Sequence, residues 1–340
     1  MREVNMILVE NLSKEFKIHK KYEGVGGTFR SFFSRKYDLK RAINNISFQI
    51  NDGEMVGYIG LNGAGKSTTI KILSGLMQPT SGKCLINGIV PYEERKEYTK
   101  NIGVVFGNRS QLWWDLPVSE SFSVLKKIYE VPDLKFQQRL DFLKDILELE
   151  EFYMTPVRNL SLGQKMRADL AASMLHSPSV LFLDEPTIGL DIIVKERIRA
   201  AIKQINKETN TTIFLTTHDL DDIEKICDRI IVIDKGEKIF DGNIDDVKNK
   251  FATSRIVHFE FCDVCSEFNW NTNTKGILEV HETGNGRVSI KIDRNMNLPQ
   301  LIKNIVEQYE VSDITVEEPK LEEIVKGIYT KDEQNETDKE

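Results

Sequence analysis

The 340-residue sequence has few cysteines, no long apolar run and no excess of positive charge, and each absence excludes a class of protein. No apolar stretch approaches the ~18–20 residues needed to cross a bilayer as a helix. The opening residues, MREVNMILVE, have no long apolar segment ending in a small-residue cleavage site, so no secretory signal is read. A cytoplasmic chain is expected, or one on the cytoplasmic face of a membrane. The four cysteines, Cys84, Cys227, Cys262 and Cys265, are too few and scattered for a disulfide framework. Cys262 and Cys265 form a C-x-x-C, but no second pair stands at zinc-site spacing. The net charge of -7 argues against nucleic acid as the main partner, which would favour a basic surface. What is present is 40% hydrophobic and 29% charged residues, which fits a soluble fold with a sizeable core, in one large domain plus a small one or in two ordinary domains.

Four zones follow one another. Residues 6–18 read as a strand pair through Ile7, Val9, Phe16 and Ile18. Residues 19–41 are Gly-rich, basic and aromatic, and predict an inserted loop or amphipathic element that either touches anionic lipid or is merely solvated. The main body, to about residue 248, repeats short apolar runs (Val56–Ile59, Ile102–Phe106, Val180–Leu183, Thr212–Thr216, Ile230–Ile233) with helical patterns between them. Strands alternating with helices predict an α/β fold, a mainly parallel sheet covered on both faces. An all-helical insert is expected at about 112–176, where Val118, Phe122, Leu125 and Ile128, then Phe136, Leu140, Leu143 and Leu147, keep helical spacing. Residues 254–328 read as a small α+β domain: a strand at Arg255–Phe261, a hairpin around Gly284-Asn285-Gly286 and a helix at Leu298–Tyr309. The polar tail 331–340 is expected to be disordered.

The strongest chemical signal is Gly60-Leu61-Asn62-Gly63-Ala64-Gly65-Lys66-Ser67, which fits G-x-x-x-x-G-K-[ST] between an apolar strand and a helix starting near Thr68. Its glycines let backbone N–H groups curl around phosphate oxygens at a helix N-terminus. Lys66 offers a point charge to the β- and γ-phosphates, and the Ser67 hydroxyl reaches Mg²⁺. Gly60, Asn62, Gly63, Ala64, Gly65, Lys66, Ser67 and Thr68 are therefore candidate nucleotide-binding residues. The apolar strand Val180–Leu183 ends in Asp184-Glu185, placing carboxylates at the carboxyl edge of the sheet, where nucleotides bind in open α/β folds. Asp184 would support the metal, and Glu185 would polarise the attacking water.

Leu160-Ser161-Leu162-Gly163-Gln164 resembles the L-S-G-G-Q signature of ATP-binding cassette proteins, with Leu162 in place of the third-position glycine. It lies after the helical insert and before the Asp-Glu strand, as in that family. The resemblance covers roughly residues 6–245 and extends to other segments. Gly189-Leu190-Asp191 resembles the loop that couples the two nucleotide sites. His218, ending Thr216-Thr217-His218, matches the switch histidine that contacts the γ-phosphate. Phe16 sits where the family stacks a ring on adenine, with Tyr22 or Tyr37 as alternatives. The family's glutamine after the strand Ile102–Phe106 is replaced by Gly107, leaving Asn108 or Gln111 to take its metal-holding role. The segments around Trp113-Trp114-Asp115 and Leu183–Asp191 are similar to a bacterial subgroup related to drug-resistance and small-molecule exporter ATPases, which also carry a small C-terminal extension.

The resemblance implies an ATP- and Mg²⁺-dependent ATPase acting as a head-to-tail homodimer or heterodimer. Each ATP would lie between one phosphate loop and Ser161, Gly163 and Gln164 of the other copy, with Asp191 nearby and Glu185 and His218 as catalytic residues. Integral membrane permease subunits would be its partners, export the favoured direction, and nucleic acid no partner. Trp113 and Trp114 are candidates either for gripping a permease helix or for packing inside the insert. A non-transport cassette ATPase and a regulatory module that binds ATP without turnover are the rival readings. Only one phosphate loop is present and no long coiled coil, which argues against fused translation factors and repair clamps.

Overall fold

The computed structural model describes residues 5–19, 37–107, 109–251, 254–262, 276–284 and 286–337. Tyr22, Asn108, Cys265, Asn285 and most of the 19–41 insertion lie outside these residues. The chain divides into two compact units, Met1–Ile244 and Asp245–Glu340. The boundary falls ahead of the expected residue 248, inside the helix Ile244–Phe251. The Ile244 amide donates to the Asp228 carbonyl of the first unit, whereas the Lys248 carbonyl accepts from Arg294 of the second.

In the first unit, β1 (Asn5–His19), β2 (Tyr37–Asn51) and β4 (Ser81–Ile86) form an antiparallel sheet in the order β2-β1-β4. A second sheet comprises β3 (Met55–Gly60), β5 (Ile102–Phe106), β6 (Val180–Asp184), β7 (Thr212–Thr216), β8 (Arg229–Asp234) and β9 (Glu237–Asn243). Its order is β5-β6-β7-β3-β8-β9, parallel except for the β8–β9 pair. β3, β6 and β7 are covered on both faces, which explains why apolar residues such as Val180–Leu183 and Ile213–Leu215 follow one another without alternation. β2 alternates instead, with Ile46, Phe48 and Ile50 buried and Ser47 and Gln49 outside, because one face packs and the other meets water. Phe214 joins the two sheets: its ring lies 5.1 Å from Tyr58, 5.9 Å from Phe182 and 6.2 Å from Phe48. Phe214→Ala should cost ~3–5 kcal/mol through the cavity it leaves, seen as a fall of about 10 °C in the thermal unfolding midpoint.

Residues 37–41, expected in a loop, instead extend β2 as an exposed ribbon against β1, with Phe16 opposite Lys40 and Ile18 opposite Asp38. Cross-strand backbone bonds hold this ribbon without a buried face, so no apolar alternation marks it. Helices Val118–Ile128, Asp133–Ile146 and Leu162–Met174 lie between β5 and β6. Val118, Phe122 and Leu125 are buried, while Ile128 is exposed at the end of its helix. Helices Lys66–Leu73, Ile192–Thr209 and Leu220–Ile226 follow β3, β6 and β7.

The second unit is an antiparallel sheet, β11-β12-β10-β13, built from β10 (Ser254–Phe261), β11 (Ile277–Gly284), β12 (Arg287–Asp293) and β13 (Val311–Glu317). Leu301 and Ile305 of the helix Leu298–Gln308 pack on Val257, Phe259, Val288 and Ile290 in its core. β13 has no counterpart in the sequence reading, because most of its residues are exposed and leave no alternation. The helix Leu321–Thr337 runs through most of the tail expected to be disordered from 331. Extending an existing helix is far easier than nucleating one, so polar composition alone does not end it.

Candidate functional site

The parallel topology sets the carboxyl ends of β3, β6 and β7 side by side, with Tyr58 and Asp184 both opposite Thr216. Three loops therefore meet at one sheet edge. The first is the glycine-rich loop. Gly65 turns into the helix Lys66–Leu73 at φ 112°, and a Cβ there would stand 2.5 Å from the Ala42 carbonyl oxygen. Gly60 is equally confined, its imagined Cβ 2.7 Å from the Ile233 carbonyl oxygen. Gly63, at φ 87°, faces open space. The Ala64 amide donates to the Leu61 carbonyl at 3.0 Å and its carbonyl accepts from Gly236 at 3.1 Å, so Ala64 frames the loop from inside. Lys66 Nζ donates to the Gly60 carbonyl at 2.6 Å. Burial pushes its ammonium below the usual value against the opposing pull of Glu185 and Asp184. That environment suits a cation waiting for an anionic ligand.

A cleft of about 420 Å³ opens here, lined by Phe16, Ile18, Lys40, Asn62, Lys66 and Glu185 among others. Gly63, Gly65, Ser67 and Thr68 also face it, so most of the phosphate-loop candidates share one cavity. Phe16 reaches its rim from the exposed ribbon; Tyr37, paired with His19 farther out, does not line it. Ile18, Lys40 and Ala42 were missed by sequence reasoning, because only strand pairing brings them to the loop.

The second and third loops carry the acids and the histidine. Asp184 Oδ1 accepts from Thr216 Oγ1 at 2.6 Å. Glu185 adopts φ 56°, a left-handed conformation rare outside glycine, and its amide donates to the Thr216 carbonyl at 2.8 Å. Glu185 Oε2 then lies 2.7 Å from His218 Nδ1. Facing a carboxylate, Nδ1 carries the proton, which leaves Nε2 free to meet another group. Glu185 is partly buried and lines the cleft, while His218 is mostly exposed.

The loop after β5 departs from expectation. Gln111 does not reach the cleft: its side-chain amide donates to the Asp169 carbonyl at 3.0 Å. Asp169 Oδ1 also accepts from Ser110 Oγ and the Gln111 amide, both at 3.0 Å. Burial pushes this carboxyl up to about 6, opposed by those two bonds. Asp169 clamps the loop after β5 to the helix Leu162–Met174, and its signal in the sequence was an acid set among Ala168, Leu170, Ala171 and Ala172. Gly107 fits the same corner, where any Cβ would stand 2.1 Å from the Glu185 carbonyl oxygen.

Ser161 caps the helix Leu162–Met174 in a capping box: its Oγ accepts from the Gln164 amide at 3.2 Å, and its own amide donates to Gln164 Oε1 at 2.9 Å. Ser161 and Leu162 are exposed. The Gln164 side chain is thus occupied within the cap. Gly163 is required by the fold itself, since a Cβ would stand 2.7 Å from Val194 Cγ1. Asp191 caps the next helix, accepting from the Val194 amide at 3.0 Å. None of Ser161, Leu162, Gly163, Gln164 and Asp191 lines the cleft within the same chain.

Residues 43–188 match the family model described as "ABC transporter", and residues 242–325 match "ATP-binding protein DrrA1-3-like, C-terminal domain". The chain is 30% identical to the bacitracin transport ATP-binding protein BcrA of Bacillus licheniformis, over 85% of this chain and 93% of that one. It is likewise 30% identical to the linearmycin resistance ATP-binding protein LnrL of Bacillus subtilis, over 76% of this chain and 82% of the other. Among solved structures, a dimeric post-hydrolysis state of the ATP-binding cassette MJ0796 with ADP and Pi superposes with a TM-score of 0.58 at 27% identity, covering 70% of this chain and 98% of that one.

Proposed function

The chain belongs to the ATP-binding cassette family of transporter ATP-binding proteins, an ATPase family, and from that premise we propose that it powers export through separate membrane permease subunits. The observation that carries this reading is the meeting of Glu185 and His218, 2.7 Å apart, at the sheet edge that also holds the phosphate loop. Such an arrangement suits turnover of ATP rather than binding alone.

The loop Gly60–Ser67 would hold the phosphates through its backbone amides and Lys66, with Phe16 offering a ring to the base. Among the described residues no cluster of three or more His, Cys, Asp and Glu could hold a metal by itself. Ser67 and Asp184 instead offer hard oxygens, the donor set suited to Mg²⁺ completed by nucleotide phosphates. Mg²⁺ bound there would neutralise charge developing on the transferred phosphoryl oxygens. Glu185 would accept the proton of the attacking water, and His218 would hold that carboxylate through Nδ1.

Ser161 stands at an exposed helix N-terminus outside its own chain's cleft, which supports a head-to-tail dimer in which it completes the partner's nucleotide site. The family's dimeric relative points the same way. Trp113 and Trp114 are exposed on the helical stretch, with Lys165 Nζ 4.6 Å over the Trp114 ring. They offer aromatic surface for a permease helix, and no helix among the described residues is long and apolar enough to cross a membrane itself. Export is favoured by the resemblance to the bacitracin transport and linearmycin resistance proteins and by the DrrA-like C-terminal unit.

A purified sample with MgATP should release phosphate and shift to dimers when turnover is slowed. Ser161→Arg should keep nucleotide binding within about 2-fold but lower turnover by at least ~10²-fold, because the bulky side chain keeps this helix end from closing on the partner's site. Wild-type turnover in that variant would refute the shared site.

A further inference from the structure

We infer that Thr187, Asp222 and Arg199 form a buried brace whose task is to position Glu185 against His218. The inference rests on Glu185 being the catalytic carboxylate. Thr187 follows Glu185 by two residues, and Asp222 lies one helical turn past His218. All three brace residues are buried: Thr187 is 2%, Asp222 0% and Arg199 6% exposed. The Thr187 hydroxyl donates a hydrogen bond to Asp222 Oδ2. Arg199, from the helix Ile192–Thr209, donates to Asp222 Oδ1 through Nε at 2.6 Å, and its Nη2 pairs with the same oxygen at 2.5 Å. Arg199 Nη1 continues to Glu196 Oε1 at 2.8 Å.

Two features give the brace a directional role rather than a merely cohesive one. The β6–β7 ladder closes at Glu185, whose amide donates to the Thr216 carbonyl. Past that point, among the described residues, two side-chain links tie segment 185–187 to segment 218–222: Glu185 with His218, and Thr187 with Asp222. The second point is strain. Glu185 holds φ 56°, and a non-glycine residue stays in such a conformation only where its surroundings over-determine it. Asp222 and Arg199 are themselves a costly choice, since apolar residues would fill the same space without desolvating two charges. What a carboxylate adds is a fixed acceptor for one hydroxyl. That hydroxyl anchors the turn after Glu185 to the helix after His218, so the two functional side chains move as a unit.

The test compares Thr187→Val, which removes the hydroxyl and leaves the Asp222–Arg199 pair, with Thr187→Ser, which keeps the hydroxyl. Steady-state ATP turnover, ATP affinity and the thermal unfolding midpoint are measured on each full-length chain. Thr187→Val should lower kcat by ~10–100-fold, the loss expected when a reacting group is mispositioned, with ATP affinity within about 2-fold. Thr187→Ser should recover most of the rate. Thr187→Val made in a Glu185→Gln background should lower the residual single-turnover rate by less than about 2-fold, because the brace acts only through the carboxylate. Undiminished kcat in the folded Thr187→Val chain overturns the brace, as does equal loss with Thr187→Ser. A full 10–100-fold further loss in the Glu185→Gln background overturns it as well. If Thr187→Val does not fold, Thr187→Cys is read by the same criteria. Wild-type turnover in Glu185→Gln alone refutes the catalytic assignment and the brace with it, whereas a silent Thr187→Val beside a dead Glu185→Gln removes the brace only.

Discussion

Glu185→Gln is expected to lower ATP turnover by about 10²–10⁴-fold while leaving ATP affinity nearly unchanged, the range expected when a general base is lost. The amide keeps the size of the carboxylate and can still meet His218 Nδ1 across the 2.7 Å gap. It cannot take a proton from water. Asp184 is no substitute, because its Oδ1 is engaged by Thr216 Oγ1 at 2.6 Å and the proposed mechanism assigns its carboxylate to the metal. With binding intact and cleavage blocked, the closed dimer should accumulate, since nothing releases the nucleotide that favours it. Phosphate release and light scattering after gel filtration with MgATP check both halves of the expectation. Normal turnover would remove Glu185 from the chemistry.

Gly65→Ala is expected to weaken ATP binding by ~100-fold or more, and Gly63→Ala by only ~10-fold. Both glycines have positive φ, so alanine at either incurs left-handed backbone strain of ~1–3 kcal/mol, and each ~1.4 kcal/mol is a factor of ten. Gly63 carries no further penalty because a Cβ there meets open space. At Gly65 the new Cβ would stand 2.5 Å from the Ala42 carbonyl oxygen, a backbone atom of β2 that cannot rotate away. The first turn of the helix Lys66–Leu73 must then shift, moving Lys66 and Ser67 together. Titration calorimetry on the two variants reads the contrast. Equal losses would mean the cradle is not set by the close approach of β2.

The parts of the site that could be read in advance are short and contiguous. Strand, turn and helix around Gly60–Ser67 announce themselves because consecutive backbone amides and glycines do the work within eight residues. The Asp184-Glu185 pair is legible because an apolar strand must end at a sheet edge. Ser161 is legible as a helix start for the same local reason. Gln111 misled, because a glutamine near the correct strand looks available until the fold offers it the Asp169 carbonyl. Ile18 and Lys40 were invisible for the converse reason: nothing local distinguishes an exposed ribbon residue from one that a pairing register carries to the mouth of a cleft.

Chain order alone therefore decides the chemistry on offer, namely which amides, carboxylates and hydroxyls exist and which turn or cap each occupies, since those are settled over a few consecutive bonds. Folding in three dimensions decides who meets whom. The sheet order β5-β6-β7-β3-β8-β9 brings Glu185, His218 and Lys66 to one edge, and packing of loops against distant helices ties Thr187 to Asp222 and Ser110 to Asp169. Such encounters depend on strand register and helix packing summed over the whole core, and no short stretch of residues holds that sum.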